Sequence, residues 1–224
     1  MATIDGTATR TFSRRLRAAT WEEHRSAESG EFMRRLFAGE LPLATFAALS
    51  TQLYFVYAEL ERAADAMRGD PEAGPFLSRD LTRLPALEAD LAHFHGAGWR
   101  AAVAPGPAAR AYVRRIAEIA SWPGGLVAHH YTRYLGDLSG GRDIARTAAG
   151  AYGLDGAGLR FYDFPAIADP AAFKDAYRRR LDGLAAADEA ERDRIVAETR
   201  VAYRLNIAVL DELGTADEAT AARS

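Results

Sequence analysis

The residues best suited to chemistry in this chain fall into groups that lie far apart in the sequence. The first group is His24 with Glu28 four residues later. On a helix this spacing puts both side chains on one face. A carboxylate placed there can orient the ring, as it commonly does for a histidine that binds a metal. The alternative is a solvated pair on a helix surface, and these two residues alone leave both interpretations open.

Arg17 lies seven residues before His24. On one continuous helix this is two turns along the same face, or ~10.5 Å at 1.5 Å per residue. A metal ligand at one end of a face and a cation at the other would suit a metal macrocycle that bears carboxylates. Arg17 could equally be an ordinary surface arginine.

The second group lies in the stretch 131–141, where Gly136, Gly140 and Gly141 accompany Asp137. The apolar spacing on both sides predicts a helix, in which each interior glycine costs about 0.5–1 kcal/mol relative to alanine. One explanation is a close helix–helix crossing that needs the missing side chains. The other is a flat ligand that lies against the bare backbone. The residues by themselves favour the crossing and leave the ligand open.

A third group is a run of cations in the segment 174–180, which contains Lys174, Arg178, Arg179 and Arg180. Such a run is usually a solvated helix surface. Lys174 and Arg178 share one helical face, however, and could clamp an acidic group from there.

The composition excludes several classes of function. The net charge of −3 and the pI near 6.0 give no reason to expect a nucleic acid as partner. Because there is no cysteine, disulfides, thiolate–metal sites and a cysteine nucleophile are excluded. No apolar run approaches the ~20 residues that span a bilayer, and no signal peptide is visible. A cytoplasmic protein without a membrane anchor is therefore expected.

The pattern of the chain predicts an all-α fold. β-branched residues are sparse, and apolar residues recur every three or four positions. We expect one domain over residues 11–214, an irregular bundle of seven or eight helices, with a flexible N-terminus (1–10) and a flexible C-terminal tail (215–224). The predicted helices are 11–29, 31–38, 42–68, 84–95, 107–121, the glycine-bearing segment after 123–125, 170–184 and 188–213.

Taken together, these segments resemble the heme oxygenases. Residues 16–28 (LRAATWEEHRSAE) resemble the proximal helix of that family, and His24 falls on its axial heme ligand. Residues 127–141 (VAHHYTRYLGDLSGG) resemble its distal helix. Supporting matches follow in the order of the family at 53–57, 87–91, 173–178 and 205–207. Two departures are Arg17, where the family often has lysine, and Leu210, where some members have an aromatic residue.

The resemblance implies a reaction and its partners. Heme b would be both cofactor and substrate, with O2 as co-substrate, and the ring would open at one meso carbon. The products would be biliverdin, ferrous iron and carbon monoxide. Iron acquisition is the expected role, and supply of the bilin pigment is the alternative. Electrons would come from an external donor, a ferredoxin or a flavin-dependent reductase. The alternative is a non-catalytic heme carrier or scavenger on the same fold, which would not need Asp137.

The resemblance also implies roles for single residues. Gly136 and Gly140 would let the backbone approach the porphyrin, and Asp137 would hold ordered water that hydrogen-bonds bound dioxygen. His24 would bind the iron, with Glu28 as its partner. The expected distal polar residues are Tyr57, Arg133 and Asn206. The expected contacts with the heme and its propionates are Arg17, Tyr131, Ser139, Gly141, Lys174 and Arg178.

Overall fold

The computed structural model describes residues 11–184 and 188–221, and the chain there is mostly helical. Within these ranges there is no strand, which confirms the all-α prediction. The predicted flexible N-terminus, 1–10, lies outside the described residues. The α-helices are α1 (Phe12–Ala19), α2 (Trp21–Ser29), α3 (Glu31–Ala38), α4 (Leu43–Met67), α5 (Leu84–His95), α6 (Trp99–Ala102), α7 (Pro107–Ile119), α8 (Pro123–Tyr152), α9 (Pro170–Asp182) and α10 (Glu189–Ala221). Short 3-10 helices occur at Gly74–Phe76, Arg79–Leu81 and Arg160–Tyr162.

The predicted number of helices, seven or eight, is too low, because the described residues form ten α-helices. The predicted helix 11–29 is two helices that meet at Thr20, whose backbone (φ −111°, ψ 12°) leaves the helical range. The four-residue helix α6 is too short to show a period in the sequence. The break at Thr20 also removes the basis for placing Arg17 two straight turns from His24.

Three long helices, α4, α8 and α10, form the frame of the molecule. The 30-residue helix α8 packs against both of the others. Its first half is buried, with Leu126, Val127 and Ala128 at most 1% exposed. Pro123 occupies the first turn, where the missing N–H costs nothing. Within the described ranges, no helix is long and apolar enough to cross a membrane.

The last helix continues beyond its predicted end. The sequence predicts that Gly214 ends it and that a flexible tail follows, but α10 runs through Gly214 to Ala221. Asp217 explains the continuation, because its carboxylate is 8% exposed and pairs with Arg35 at 2.7 Å. Thr45 donates a hydrogen bond to the same carboxylate. These contacts offset the cost of about 1 kcal/mol for an interior glycine.

Most other helix boundaries follow the expected signals. Gly39 ends α3 in the left-handed conformation, with φ at 70°. The Asp169 side chain caps α9 by accepting hydrogen bonds from the Ala171 and Ala172 amides. Pro42, predicted as the first residue of a helix, lies at the N-cap of α4 instead.

Candidate functional site

A cavity of about 380 Å³ lies between α2 and α8. This volume is within the range of small-molecule and cofactor sites. From α2 it is lined by His24, Ala27 and Glu28, and the α8 side contributes residues between Thr132 and Ile144. The rest of the wall is mostly apolar and comes from α3, α4, α10 and the 3-10 helix near 161. Its residues are Met33, Phe37, Leu49, Leu53, Phe161, Tyr162, Tyr203, Asn206 and Leu210.

His24 contacts its neighbours through its Nδ1 edge and its ring face, and the opposite edge of the ring is free. Its Nδ1 is buried without a hydrogen bond and lies 3.4 Å from the Glu28 carboxylate. The ring stacks on Trp21, with centroids 5.6 Å apart, and meets the edge of Tyr203. Because the side chain is still 37% exposed, the free edge is the opposite one, which carries Nε2. This arrangement leaves Nε2 available to a ligand in the cavity.

The glycines of α8 differ in what surrounds the position of the missing side chain. A Cβ built on Gly136 or Gly140 would meet no atom within 4 Å, apart from the helix itself. These two glycines therefore face open space in the cavity, and no helix crosses closely at them. A Cβ on Gly141 would lie 3.3 Å from the Tyr162 ring, which is closer than ordinary contact. The packing explanation thus holds for Gly141, and the ligand explanation is the better one for Gly136 and Gly140.

Asp137 is the centre of a buried polar cluster on the α8 side of the cavity. The hydroxyl of Tyr57, from α4, donates a hydrogen bond to one carboxylate oxygen of Asp137. Arg133, one turn earlier on α8, lies 3.3 Å from the other oxygen. Arg133 also donates to the Asn206 side chain and to the Tyr57 hydroxyl. The structure therefore brings together all four residues that were expected to form the distal polar group.

The burial of this cluster changes its acid–base properties. Burial raises the pKa of Asp137, while the charge of Arg133 and the hydrogen bond from Tyr57 lower it by less. Burial likewise raises the pKa of Tyr57 well above its usual value. A carboxyl group with a raised pKa that faces a cavity can hold or release a proton more easily near neutral pH.

The carboxylate of the half-buried Glu61 is linked to this cluster through Tyr134 and is not predicted from the sequence. Glu61 accepts a hydrogen bond from the Tyr134 hydroxyl at 3.2 Å and from the amides of Arg83 and Leu84. The Tyr134 ring meets the edge of Tyr57, with centroids 5.4 Å apart. Glu61 lies four residues after Tyr57, on the face of α4 that carries the core residues, but its partners belong to other parts of the chain, so the sequence alone does not single it out.

The expected cations lie outside the cavity lining. Lys174 donates to the Ser139 hydroxyl at 3.0 Å, so it reaches the α8 side next to Gly140. Arg178, one turn later, pairs with Asp175 at 2.7 Å. Of these residues, Ser139 and Gly140 line the cavity, and Lys174 reaches its edge through Ser139.

Arg17 and Tyr131 occupy the same neighbourhood as these cations. The Arg17 guanidinium lies over the Trp21 ring, 5.8 Å from its centroid. Burial raises the pKa of the Tyr131 hydroxyl, and the charges of Arg178 and Arg17 lower it. Both arginines are therefore close enough to Tyr131 to act on its charge. The expected propionate contacts Arg17, Tyr131, Lys174 and Arg178 thus gather on one side of the molecule, although none of the four lines the cavity.

The other four histidines, all among the described residues, are directed away from the cavity. His129 contacts Glu198 at 2.8 Å, and His130 contacts the Tyr177 hydroxyl at 3.0 Å. Burial lowers the pKa of His130 to about 3, which keeps this ring neutral. His95 contacts the Thr51 hydroxyl, and His93 is an exposed residue that contacts Phe94. None of the four lines the cavity.

The described residues contain no group of three or more His, Asp or Glu side chains able to hold a metal ion. A metal bound at His24 would therefore have to bring its own additional ligands.

A larger cleft, of about 560 Å³, lies on another flank of α8. Its lining includes Arg142, Asp155 and Arg160, and it shares Asp137 and Tyr162 with the first cavity. No histidine lines it. The larger volume does not make it the better candidate, because the potential metal ligand and the bare glycines belong to the smaller cavity.

Comparisons with known proteins agree with this geometry. The family model described as heme oxygenase matches residues 10–212. Heme oxygenase 1 of Nostoc sp. is 40% identical over 201 residues, which cover 89% of this chain and 84% of that protein. Heme oxygenase 1 of Homo sapiens is 39% identical over 205 residues, covering 90% of this chain and 71% of that protein.

Solved structures show the same similarity in three dimensions. Heme oxygenase-1 from the cyanobacterium Synechocystis sp., solved in complex with heme, has a TM-score of 0.89 and 35% identity. The alignment covers 95% of this chain and 97% of that one. Heme oxygenase from Leptospira interrogans has a TM-score of 0.85 and 36% identity, covering 90% and 99% of the two chains.

Proposed function

The chain belongs to the heme oxygenase family, whose members degrade heme to biliverdin, and we propose that it does so between His24 and the glycines of α8. The observation that carries this proposal is the pairing across one cavity. His24 presents a free ring edge on one side, and Gly136 and Gly140 present bare backbone on the other. Asp137 lies beside the glycines with its own polar partners.

The residues present suit heme. Bound heme supplies an iron that activates dioxygen and a ring that is itself oxidised. His24 would hold the iron through Nε2, and the Glu28 carboxylate would orient the ring through Nδ1. A neutral imidazole is the ligand found in many heme proteins that bind dioxygen. The apolar side chains of Met33, Leu49 and Leu53 would cover the ring and exclude water from it.

Asp137 provides the acid–base function in this proposal. Its carboxylate borders the cavity beside the bare backbone and is fixed from outside by Tyr57 and Arg133. It can therefore order water within the cavity without reaching the position opposite His24. Because burial raises its pKa, it can also exchange a proton with that water.

The cations at the edge would receive the propionates of the substrate. Lys174, Arg178 and Arg17 gather around Tyr131 and Ser139 on one side of the cavity. A charged hydrogen bond to a carboxylate is stronger than a neutral one, so these groups can fix the rotation of the ring. Ring rotation decides which meso carbon faces the polar cluster.

The remaining parts of the proposal concern partners and role. O2 is the co-substrate, and an external ferredoxin or flavin-dependent reductase supplies electrons. The protein acts in the cytoplasm and serves iron acquisition. Support for an acidic donor comes from exposed arginines near the cavity, since charges of opposite sign guide the encounter of two proteins.

A non-catalytic heme carrier is the second candidate, and the Asp137 cluster argues against it. A carrier needs the iron ligand and the propionate cations, but it has no use for a buried carboxyl group beside the ring. Keeping Asp137, Tyr57 and Arg133 out of water costs free energy that mere binding would not require.

One experiment separates these possibilities. The protein is titrated with hemin, and the complex is then turned over in air with a generic ferredoxin and its reductase. We expect a Soret band, loss of that band on turnover, and a single biliverdin isomer by chromatography. A stable Soret band under reducing, aerobic conditions would identify a carrier. The absence of any Soret band would refute heme binding itself.

A further inference from the structure

Two stacked rings separate the cavity from solvent on the α2 side. His24 lines the cavity, whereas Trp21 lines a separate cleft of about 540 Å³ on the outer face of α2. The ring centroids are 5.6 Å apart, and the planes differ by only 10°. Their spacing of three residues places them on neighbouring turns of one helix. The pair forms a continuous aromatic contact from the outside of the molecule to the cavity.

The exposure of Trp21 has no evident structural purpose. Its side chain is 46% exposed, one of three large apolar residues exposed to this degree in the described part of the chain. Trp99, in contrast, is 2% exposed and part of the interior. The indole of Trp21 forms no hydrogen bond within the described residues, and its ring contacts are with His24 and the guanidinium of Arg17. An indole left in water in this way contributes little to folding.

The surface around Trp21 carries more unpaired arginines than unpaired carboxylates, since Glu22 in the outer cleft is the exposed carboxylate there without an ion pair in the described ranges. Arg14, Arg17 and Arg25 on α1 and α2 are exposed and form no ion pair within the described ranges. Arg179 and Arg180 are likewise exposed and unpaired on α9, which packs against α1. Unpaired cations around an exposed indole suit a protein partner with an acidic surface.

We propose that Trp21 is the residue through which electrons reach the heme. An acidic one-electron donor protein, with an iron–sulfur or flavin centre, docks on the outer face of α2. Its electron passes through the indole to the His24 ring and on to the iron. In each transfer the donor centre loses one electron and the ferric iron gains it, while Trp21 is neither reduced nor oxidised and provides the path for tunnelling. This inference rests on the proposed function, because His24 must be the iron ligand.

The test uses the absence of cysteine from this chain. A single cysteine at Ser26, which lines the outer cleft, is labelled with a ruthenium photosensitiser in the hemin-loaded protein. A flash then injects one electron, and the reduction of ferric heme is followed by absorbance. We expect Trp21→Leu to slow this reduction by about an order of magnitude and Trp21→Phe, which keeps a stacked ring, to stay close to the parent.

The matched control carries the label at Arg142→Cys, in the cleft on the other flank of α8. From there the rate should be independent of the residue at position 21. With the label at Ser26→Cys, equal rates of heme reduction in the parent, Trp21→Leu and Trp21→Phe would overturn the proposal. The rate of reduction by a reduced ferredoxin should follow the same order as the flash experiment, whereas reduction by dithionite should not change.

Two further readouts separate the possible failures. The ferrous spectrum and the hemin affinity of Trp21→Leu should match those of the parent. If either changes, Trp21 serves to position His24, and the electron-transfer role is wrong. If the parent protein itself binds no hemin, the proposed function fails, and the inference fails with it.

Discussion

The two walls of the cavity are built in different ways. The helix that carries His24, α2, has nine residues, and none of them is buried. The carboxylate beside His24 is that of Glu28, which is 66% exposed. The helix that carries Asp137, α8, has 30 residues, of which 14 are buried. Asp137 itself is only 11% exposed and is fixed from two helices.

This difference separates binding from chemistry. Groups that stabilise a reaction must be fixed before the substrate arrives, and the α8 side meets that condition. The α2 side is held by few contacts of its own. A heme bound between the two would add contacts to His24, Ala27 and Glu28, so that the ligand would complete this wall. Mutations at His24 should therefore affect heme attachment, and mutations in the Asp137 cluster should affect its conversion.

The largest effect is expected for His24, on the α2 wall of the cavity. His24→Ala should abolish the ferrous spectrum of histidine-ligated heme, because the other four histidines are directed away from the cavity or stand outside it. His93→Ala, at an exposed histidine, is the matched control and should leave the spectrum unchanged. An unchanged spectrum in His24→Ala, together with its loss in His129→Ala or His130→Ala, would refute the assignment.

Asp137→Ala should show the opposite behaviour. Hemin affinity and the ferrous spectrum should stay close to the parent, while most biliverdin formation should be lost. With peroxide, the variant should oxidise external phenols and leave the ring intact, because the ordered water no longer directs the reaction to the porphyrin. Asp137→Asn should fall between the two, since an amide can still order water.

The control for this prediction is Asp143→Ala, at an exposed aspartate on the same helix. It should form biliverdin at the parent rate. If Asp137→Ala also keeps the parent rate, the carboxylate supports only the structure of the cluster. The separation of binding from chemistry between the two walls would then be wrong.

The sequence was informative where one signal acts over many residues. The apolar period, the glycines and the helix caps predict the all-α fold and most boundaries, and the resemblance of residues 16–28 and 127–141 predicts the family. The fold and the family are confirmed, whereas the roles of the site residues stay predictions. What the sequence could not settle was the purpose of the glycines, because a close helix crossing and a bare ligand surface require the same residue.

The errors arose where a distant contact outweighed the local signal. Gly214 is a good stop signal, but α10 continues because Asp217 finds Arg35 on α3. Glu61 was passed over because its partners, Tyr134 and the Arg83 amide, belong to other parts of the chain. Such pairs become visible only when the fold brings the segments together, so local propensity gives no warning of them.

A smaller effect is expected at the edge of the cavity. Each charged contact would contribute about 1.5–3 kcal/mol if shielded from water. The side chain of Arg178 is 40% exposed, however, so we discount each contact to about 0.7 kcal/mol. Replacing Lys174 and Arg178 together by alanine should then weaken hemin binding about tenfold and mix the biliverdin isomers. Arg179→Ala, at an exposed neighbour without an ion pair in the described ranges, should change neither the hemin affinity nor the isomer ratio. If the double variant also leaves both unchanged, Lys174 and Arg178 form only a solvated surface.

The smallest effect tests the α8 wall through its backbone. Gly140→Ala should stabilise the protein without heme by about 0.5–1 kcal/mol, because a Cβ there meets no neighbour and alanine favours a helix. The same methyl group should lower hemin affinity, since it projects into the cavity. Gly150→Ala is the matched control on α8, because this glycine is equally open but lies outside the cavity. It should raise the stability by a similar amount and leave the hemin affinity unchanged. Urea unfolding and hemin titration measure the two quantities. If Gly140→Ala binds hemin as well as Gly150→Ala does, the heme does not lie against this backbone.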